Sequence, residues 1–395
     1  MKIVIVPSGF KECLDAEEVA LAMERGVRRF DESVEMEVIP MIDGGEGFAK
    51  TIVNLKGGEL IFMKVTGPVG EKIESYFGIF AENGKRTAVI EMAAVAGLKL
   101  VPRDQRNPLK TTTFGVGELI VAALDCGVDN ILIGCGDSGT SDGGAGMASA
   151  LGARFLDKAG RLVSINGGED LLHVQSIDTT NLDNRLQEVS IDVACNWKNI
   201  LCGEKGVARV FGPQKGATPE QVEKLSSALE HYAVLIEEAV GLDVRCLPGS
   251  GASGGLGAGL IAFAGATLHP RFDIIKQYIN IEERISSADV VFTAEGSLDF
   301  QTPNGKIPAE VARIAKEHSI PVVAITGTIG KGAELNYHAG IDAYSSIIPK
   351  PTSLEKAIKK APQWIEKTTE SVLRQIAIGL GIAERKLLKE SVLQK

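Results

Sequence analysis

The chain has no C-x-x-C pair: its six cysteines (Cys13, Cys126, Cys135, Cys195, Cys202, Cys246) are scattered, which fits neither a zinc site nor a disulfide framework and points to a reducing cytoplasm. Long hydrophobic runs are also missing. The apolar start stops at Pro7, too short for a signal h-region. The longest weakly polar run, near Leu256 to Leu268, is glycine-rich and falls short of the roughly 20 residues a membrane helix needs. No Walker A sequence is present, since Gly327-Thr328-Ile329-Gly330-Lys331-Gly332 lacks both its spacing and its Ser/Thr. Positive charge is in deficit, and a net charge of −9 argues against a nucleic-acid footprint. An anionic small molecule would therefore be held by local donors or by metal. Repeats and low-complexity segments are absent, so none of those architectures is indicated.

What is present is an ordinary globular composition, 44% hydrophobic and 24% charged, over 395 residues. That length is a prior for two or three domains at about 150 residues each. Lys2 to Val6 reads as a buried parallel strand, Asp15 and Glu18 as a capping box opening a helix, and Val34 to Ile39 as a second strand. From Leu60 to about Ile90 alternating strands with turns at Gly67-Pro68 and Asn83-Gly84 break this βαβ rhythm. A helix over 115–126, a strand before Gly134 and a second ribbon-like region to about Val210 follow. Thr218 and Gln221 then cap a long helix. The βα rhythm returns with strands at 290–293, 322–326 and 344–347 and helices at 309–318 and 354–361. The expected fold is α/β: a discontinuous Rossmann-like parallel-sheet domain, 1–58 with 287–395, and an inserted α/β domain with a mixed sheet, 59–286.

The stretch Gly134 to Met147, GCGDSGTSDGGAGM, lies between an apolar strand and a helix, where backbone N–H groups collect an anion. Its Gly134-x-Gly136-x-x-Gly139 matches a dinucleotide fingerprint with Asp157 at about the ribose position, but Thr140, Ser141, Asp142 and two more glycines prolong the loop and Asp137 would sit among the pyrophosphate donors, against a dehydrogenase. Ser138 and Ser253 sit in hydrolase-like glycine loops, yet no histidine has a glycine or acid pattern that would make it their base. Carboxylate-glycine loops recur instead: Asp43-Gly44-Gly45-Glu46-Gly47, Ser141-Asp142-Gly143-Gly144 and Glu295-Gly296-Ser297-Leu298-Asp299. With Lys11, Lys215 and Lys306 they make a set suited to phosphoryl transfer, acids holding Mg²⁺ and taking a proton, lysines and N–H groups neutralising phosphate.

Several ordered blocks carry a resemblance: PSGFKECLDA from Pro7, PMIDGGEG from Pro40, EMAAVAGL from Glu91, RNPLKTTTFGVGEL from Arg106, SDGGAGM from Ser141, VFGPQKGA from Val210, GASGGLGAGL from Gly251 and AEGSLDFQTPNGK from Ala294. Over nearly its full length the chain resembles the bacterial glycerate kinase family, the two-domain α/β type without a P-loop. The resemblance implies ATP-dependent, Mg²⁺-dependent phosphorylation of D-glycerate, with 2-phosphoglycerate the favoured product, in a cleft between the two domains. It implies an enzyme acting on a small molecule, while the cysteines, net charge and short apolar runs already indicate a cytoplasmic protein with no nucleic-acid or membrane partner. The site residues expected on this basis are Lys11, Asp43, Glu46 and Asp142 for catalysis. Gly44, Gly45, Gly143, Gly144, Lys215, Gly254 and Gly255 are expected for nucleotide phosphate, Arg106 and Lys110 for substrate, and Asp142, Glu295 and Asp299 for metal. The chain departs from the family pattern at Ser8-Gly9 (commonly Asp-Ser), at Asn196 to Ile200 including Lys198 (commonly Asp-x-Asp-Asn-Pro) and at Ser297 (commonly Arg). Those departures leave an alternative: action on another small hydroxy acid, or a low-activity ligand sensor.

Overall fold

The computed structural model describes residues 1–10, 13–41 and 44–393, with side chains as far as 386. The chain divides into two compact units, residues 1–42 with 280–395, and residues 43–279. The first is built on five parallel strands in the order Glu35–Val38, Lys2–Pro7, Val290–Leu298, Val322–Ile329, Ala343–Ser346. From Ile3 to Pro7 this second strand is apolar and buried because it is central and both of its faces are covered. Ile3 and Ile5 share a core with Met23 of helix Ala16–Phe30 and Ile365 of helix Leu354–Leu393. The Asp15/Glu18 capping box forms as the sequence indicates. The strand order reverses between Lys2–Pro7 and Val290–Leu298, and ligands of open α/β sheets bind in the crevice at the carboxyl ends of such strands.

The second unit carries a six-stranded mixed sheet, Thr267–Pro270, Ser190–Cys195, Asn130–Gly134, Lys85–Glu91, Lys72–Glu82, Glu59–Thr66. The first four strands run parallel and the last two pair antiparallel. Asn83 and Gly84 both take positive φ, 53° and 76°, as a two-residue turn between right-twisted strands requires. One core, with Phe77, Ile90, Leu119, Ile131 and Val193, lies against this sheet. A second gathers Phe155 and Phe263 around Leu225, Leu229 and Tyr232 of helix Pro219–Val240, which Thr218 and Gln221 cap.

The fold is thus α/β, with one parallel and one mixed sheet. Two details differ from the sequence reading. Helix Phe48–Leu55 packs on strands of the mixed sheet, so the first unit stops near residue 42 rather than 58, and it resumes at 280 rather than 287. The second ribbon is small, Arg154–Leu156 paired with Ser176–Asp178, because Ser190–Cys195 is taken into the large sheet. Among the described residues no helix is long and apolar enough to cross a membrane.

Candidate active site

Gly44 to Gly47 lies over the carboxyl ends of the parallel strands of the second unit. A methyl group on Gly44 would come 3.2 Å from the Ala194 carbonyl, which already accepts from the Cys135 N–H at 2.9 Å. The Glu46 N–H donates to Asp137 Oδ2 at 3.1 Å, and the Gly47 and Ala49 N–H groups donate to Glu91 Oε1 and Oε2 at 2.9 and 3.1 Å. The Glu46 carboxylate points outward and pairs with Lys99. Lys11 and Asp43, both expected in the site, lie outside the described residues.

The loop after strand Asn130–Gly134 is locked from beneath. Asp142 is fully buried, and its oxygens accept from the Thr113 N–H (2.7 Å), the Gly144 N–H (3.1 Å), the Gly146 N–H (3.2 Å) and the Thr113 hydroxyl (2.9 Å). Burial raises its pKa against those donors. The sequence suggested a catalytic acid and metal ligand here; the structure shows a carboxylate turned inward with its lone pairs engaged, an internal brace. Lys215 is likewise buried. Its ammonium donates to the Thr140 carbonyl (2.6 Å), Ser138 Oγ (2.8 Å) and Ser141 Oγ (3.4 Å), which takes up all three of its protons. Desolvation lowers its pKa from 10.5 to about 7, with Asp142 opposing. In this arrangement the ammonium is held by contacts within the loop.

At Gly143, Gly144, Gly254 and Gly255 the position a Cβ would take is filled by neighbouring protein. The Gly143 N–H donates to the Gly254 carbonyl at 3.1 Å, and a methyl on Gly254 would stand 1.9 Å from the Thr140 carbonyl. The two glycine-rich stretches exist side by side because only glycine lets these backbones meet. Arg106 is half-buried, its backbone against the Lys215–Gly216 turn, and Lys110 is exposed beside Gly167.

In the first unit, strand Val290–Leu298 runs further than the sequence suggests and carries Glu295. Lys306 Nζ lies 3.1 Å from Glu295 and 3.7 Å from Asp299, and the Thr302 hydroxyl donates to Glu295 at 3.0 Å. Burial pushes the Glu295 pKa up, with Lys306 opposing. Both the Ser8 N–H and hydroxyl donate to the Ala294 carbonyl, so the first loop is tied to this strand without the acid common in the family. Asn196 accepts from the Lys198 N–H at 3.1 Å, a local turn.

Sequence reasoning assigned no role to Glu91 or to a partnered histidine. Glu91 follows Ala88-Val89-Ile90 directly, and a charge ending an apolar strand was the available signal. His269 lies 2.6 Å from Asp192, a pairing across neighbouring strands that no local pattern shows. Asp157 pairs with Arg161 in a tight turn, and Ser138 meets Lys215, so neither the dehydrogenase nor the histidine-based hydrolase reading gains a partner.

Parallel strands that end in glycine loops, acids and lysines, in a chain without a P-loop, make this an α/β enzyme for charged small molecules. The model of the glycerate kinase family matches residues 3–377. The chain is 45% identical to a glycerate kinase from Halalkalibacterium halodurans over 94% of its own length and 97% of that protein's. It is 42% identical to a glycerate 2-kinase from Escherichia coli K12, over 96% and 99% of the two chains. A crystal structure of a protein described as a glycerate kinase 2 from Salmonella typhimurium LT2 superposes with a TM-score of 0.82 at 43% identity, covering 96% of this chain and 99% of that one. The chain belongs to the glycerate kinase family, and it is a kinase.

Proposed function

We propose that the chain transfers the γ-phosphoryl group of ATP to the 2-hydroxyl of D-glycerate, with Mg²⁺, releasing ADP and 2-phosphoglycerate. Its kinship with glycerate kinases supports the substrate, and the printed name of the Escherichia coli relative, glycerate 2-kinase, supports the position. One structural observation carries the site: the Gly44–Gly47 loop, held by Asp137 and Glu91 over the carboxyl ends of parallel strands, presents an outward carboxylate on Glu46. In phosphoryl transfer most of catalysis is positioning and charge neutralisation. Glu46, with Asp43 from the sequence, takes the proton of the attacking hydroxyl; Arg106 and Lys110 meet the substrate carboxylate; Lys11 neutralises phosphate.

Magnesium commonly uses only one or two protein carboxylates beside waters and phosphate oxygens. Glu295 and Asp299 fit that pattern as a neighbouring, partly exposed pair from which a metal would displace Lys306, whereas Asp142 does not, being fully enclosed by its own loop. Among the described residues no cluster of three His, Cys, Asp or Glu offers an all-protein cage. Bound there, the ion would supply charge neutralisation of the transferring phosphoryl group.

The test is ADP release with ATP, Mg²⁺ and D-glycerate beside L-glycerate, tartronate and a no-acceptor blank. Release that depends on D-glycerate is expected. Nucleotide binding with no acceptor-dependent release would overturn the kinase reading in favour of a ligand sensor.

A further inference from the structure

We propose that Glu91 is a positioning residue for phosphoryl transfer: it fixes the Gly44–Gly47 loop, and with it Glu46, over the strand ends. This rests on the reading of Glu46 given above. Helix Phe48–Leu55 begins at Gly47, which has φ 85° and no side chain with which to cap it. The first N–H groups of a helix still need acceptors. Glu91 supplies both, at 2.9 Å to Gly47 and 3.1 Å to Ala49, from a strand more than forty residues further along the chain. The cap therefore ties loop and helix to the sheet, which a serine or aspartate within the loop would not do.

The groups facing this carboxylate are few. The Tyr76 hydroxyl lies 3.5 Å from Oε2, and Lys50, 5.0 Å from the centre of the Tyr76 ring, supplies positive charge. Glu46 opposes it by like charge, and burial pushes the Glu91 pKa up while the two N–H groups pull it down. Glu91 is only 2% exposed, so it meets no substrate itself. With Asp137 holding the Glu46 N–H and Glu91 holding those of Gly47 and Ala49, the loop backbone is anchored at Glu46 and just after it, and the Glu46 side chain is what projects outward.

The test uses Glu91→Gln, Glu46→Gln and the double variant of the full chain, with kcat, KM for glycerate and the urea midpoint measured for each. A displacement of about 1 Å in a reacting group costs on the order of a hundredfold. Glu91→Gln should lower kcat by about tenfold to a hundredfold with KM within about twofold, and the double variant should be no slower than Glu46→Gln alone. Native kcat in Glu91→Gln, or effects that multiply in the double variant, overturn the proposal. Should that variant not fold, Glu91→Asp keeps the charge and shortens the reach by one methylene; a lower kcat at a native midpoint supports positioning, and a native kcat overturns it. Native kcat in Glu46→Gln would instead sink the reading of Glu46, and this proposal with it.

Discussion

Gly254 gives the sharpest test of why the glycine stretches are there. Its φ is +73° and a methyl group would sit 1.9 Å from the Thr140 carbonyl oxygen, more than 1 Å inside ordinary contact. Gly254→Ala then meets two costs: about 1–2 kcal/mol for a non-glycine residue in left-handed conformation, and about 1–3 kcal/mol for moving packed backbone. Gly265 isolates the first cost. It has φ +63° and open space where a methyl would go, so Gly265→Ala should lose about 1–2 kcal/mol. Urea unfolding of the two variants beside the native chain should show Gly254→Ala as the less stable by about 1–3 kcal/mol, at unchanged slope. Equal midpoints, with ATP binding lost only in Gly254→Ala, would refute the packing argument and return Gly254 to the nucleotide.

Two further outcomes follow from the buried brace. Asp142→Asn places an amide NH₂ among backbone N–H donors, so it should cost about 2–3 kcal/mol of stability in the same assay; full stability with lost turnover would make Asp142 a ligand-facing acid after all. Lys215, depressed from 10.5 to about 7 by burial, binds fewer protons folded than unfolded between those values. Stability should therefore rise with pH across that window, by at most about 1.4 kcal/mol per unit, and fall to its floor below pH 7. Lys215→Met should remove that rise; an identical pH profile in the variant would mean that the ammonium is not buried as described, beside Ser138, Thr140, Ser141 and Asp142.

Most of the fold was legible because its elements announce themselves locally. KIVIV can only be a covered strand, and Asp15–Glu18 and Thr218–Gln221 can be read as caps without any tertiary knowledge. What local pattern could not show was which sheet an element joins. Phe48–Leu55 is an unremarkable amphipathic helix whose membership is decided by the strands it packs on. The same limit governed the site. Acid-glycine loops could be picked out as candidates, but whether a carboxylate faces outward or braces its own loop depends on donors such as Thr113, nearly thirty residues away, and sequence does not order those contacts. Glu46 and Asp142 look alike as letters; one points outward to Lys99 and the other is enclosed.

The measurement that bears most directly on the central claim is phosphorus NMR of the product formed from D-glycerate, ATP and Mg²⁺. The account predicts a phosphate monoester whose phosphorus couples to the single proton on C2. Coupling to the two protons on C3, or ATP left intact in the presence of D-glycerate, would contradict it.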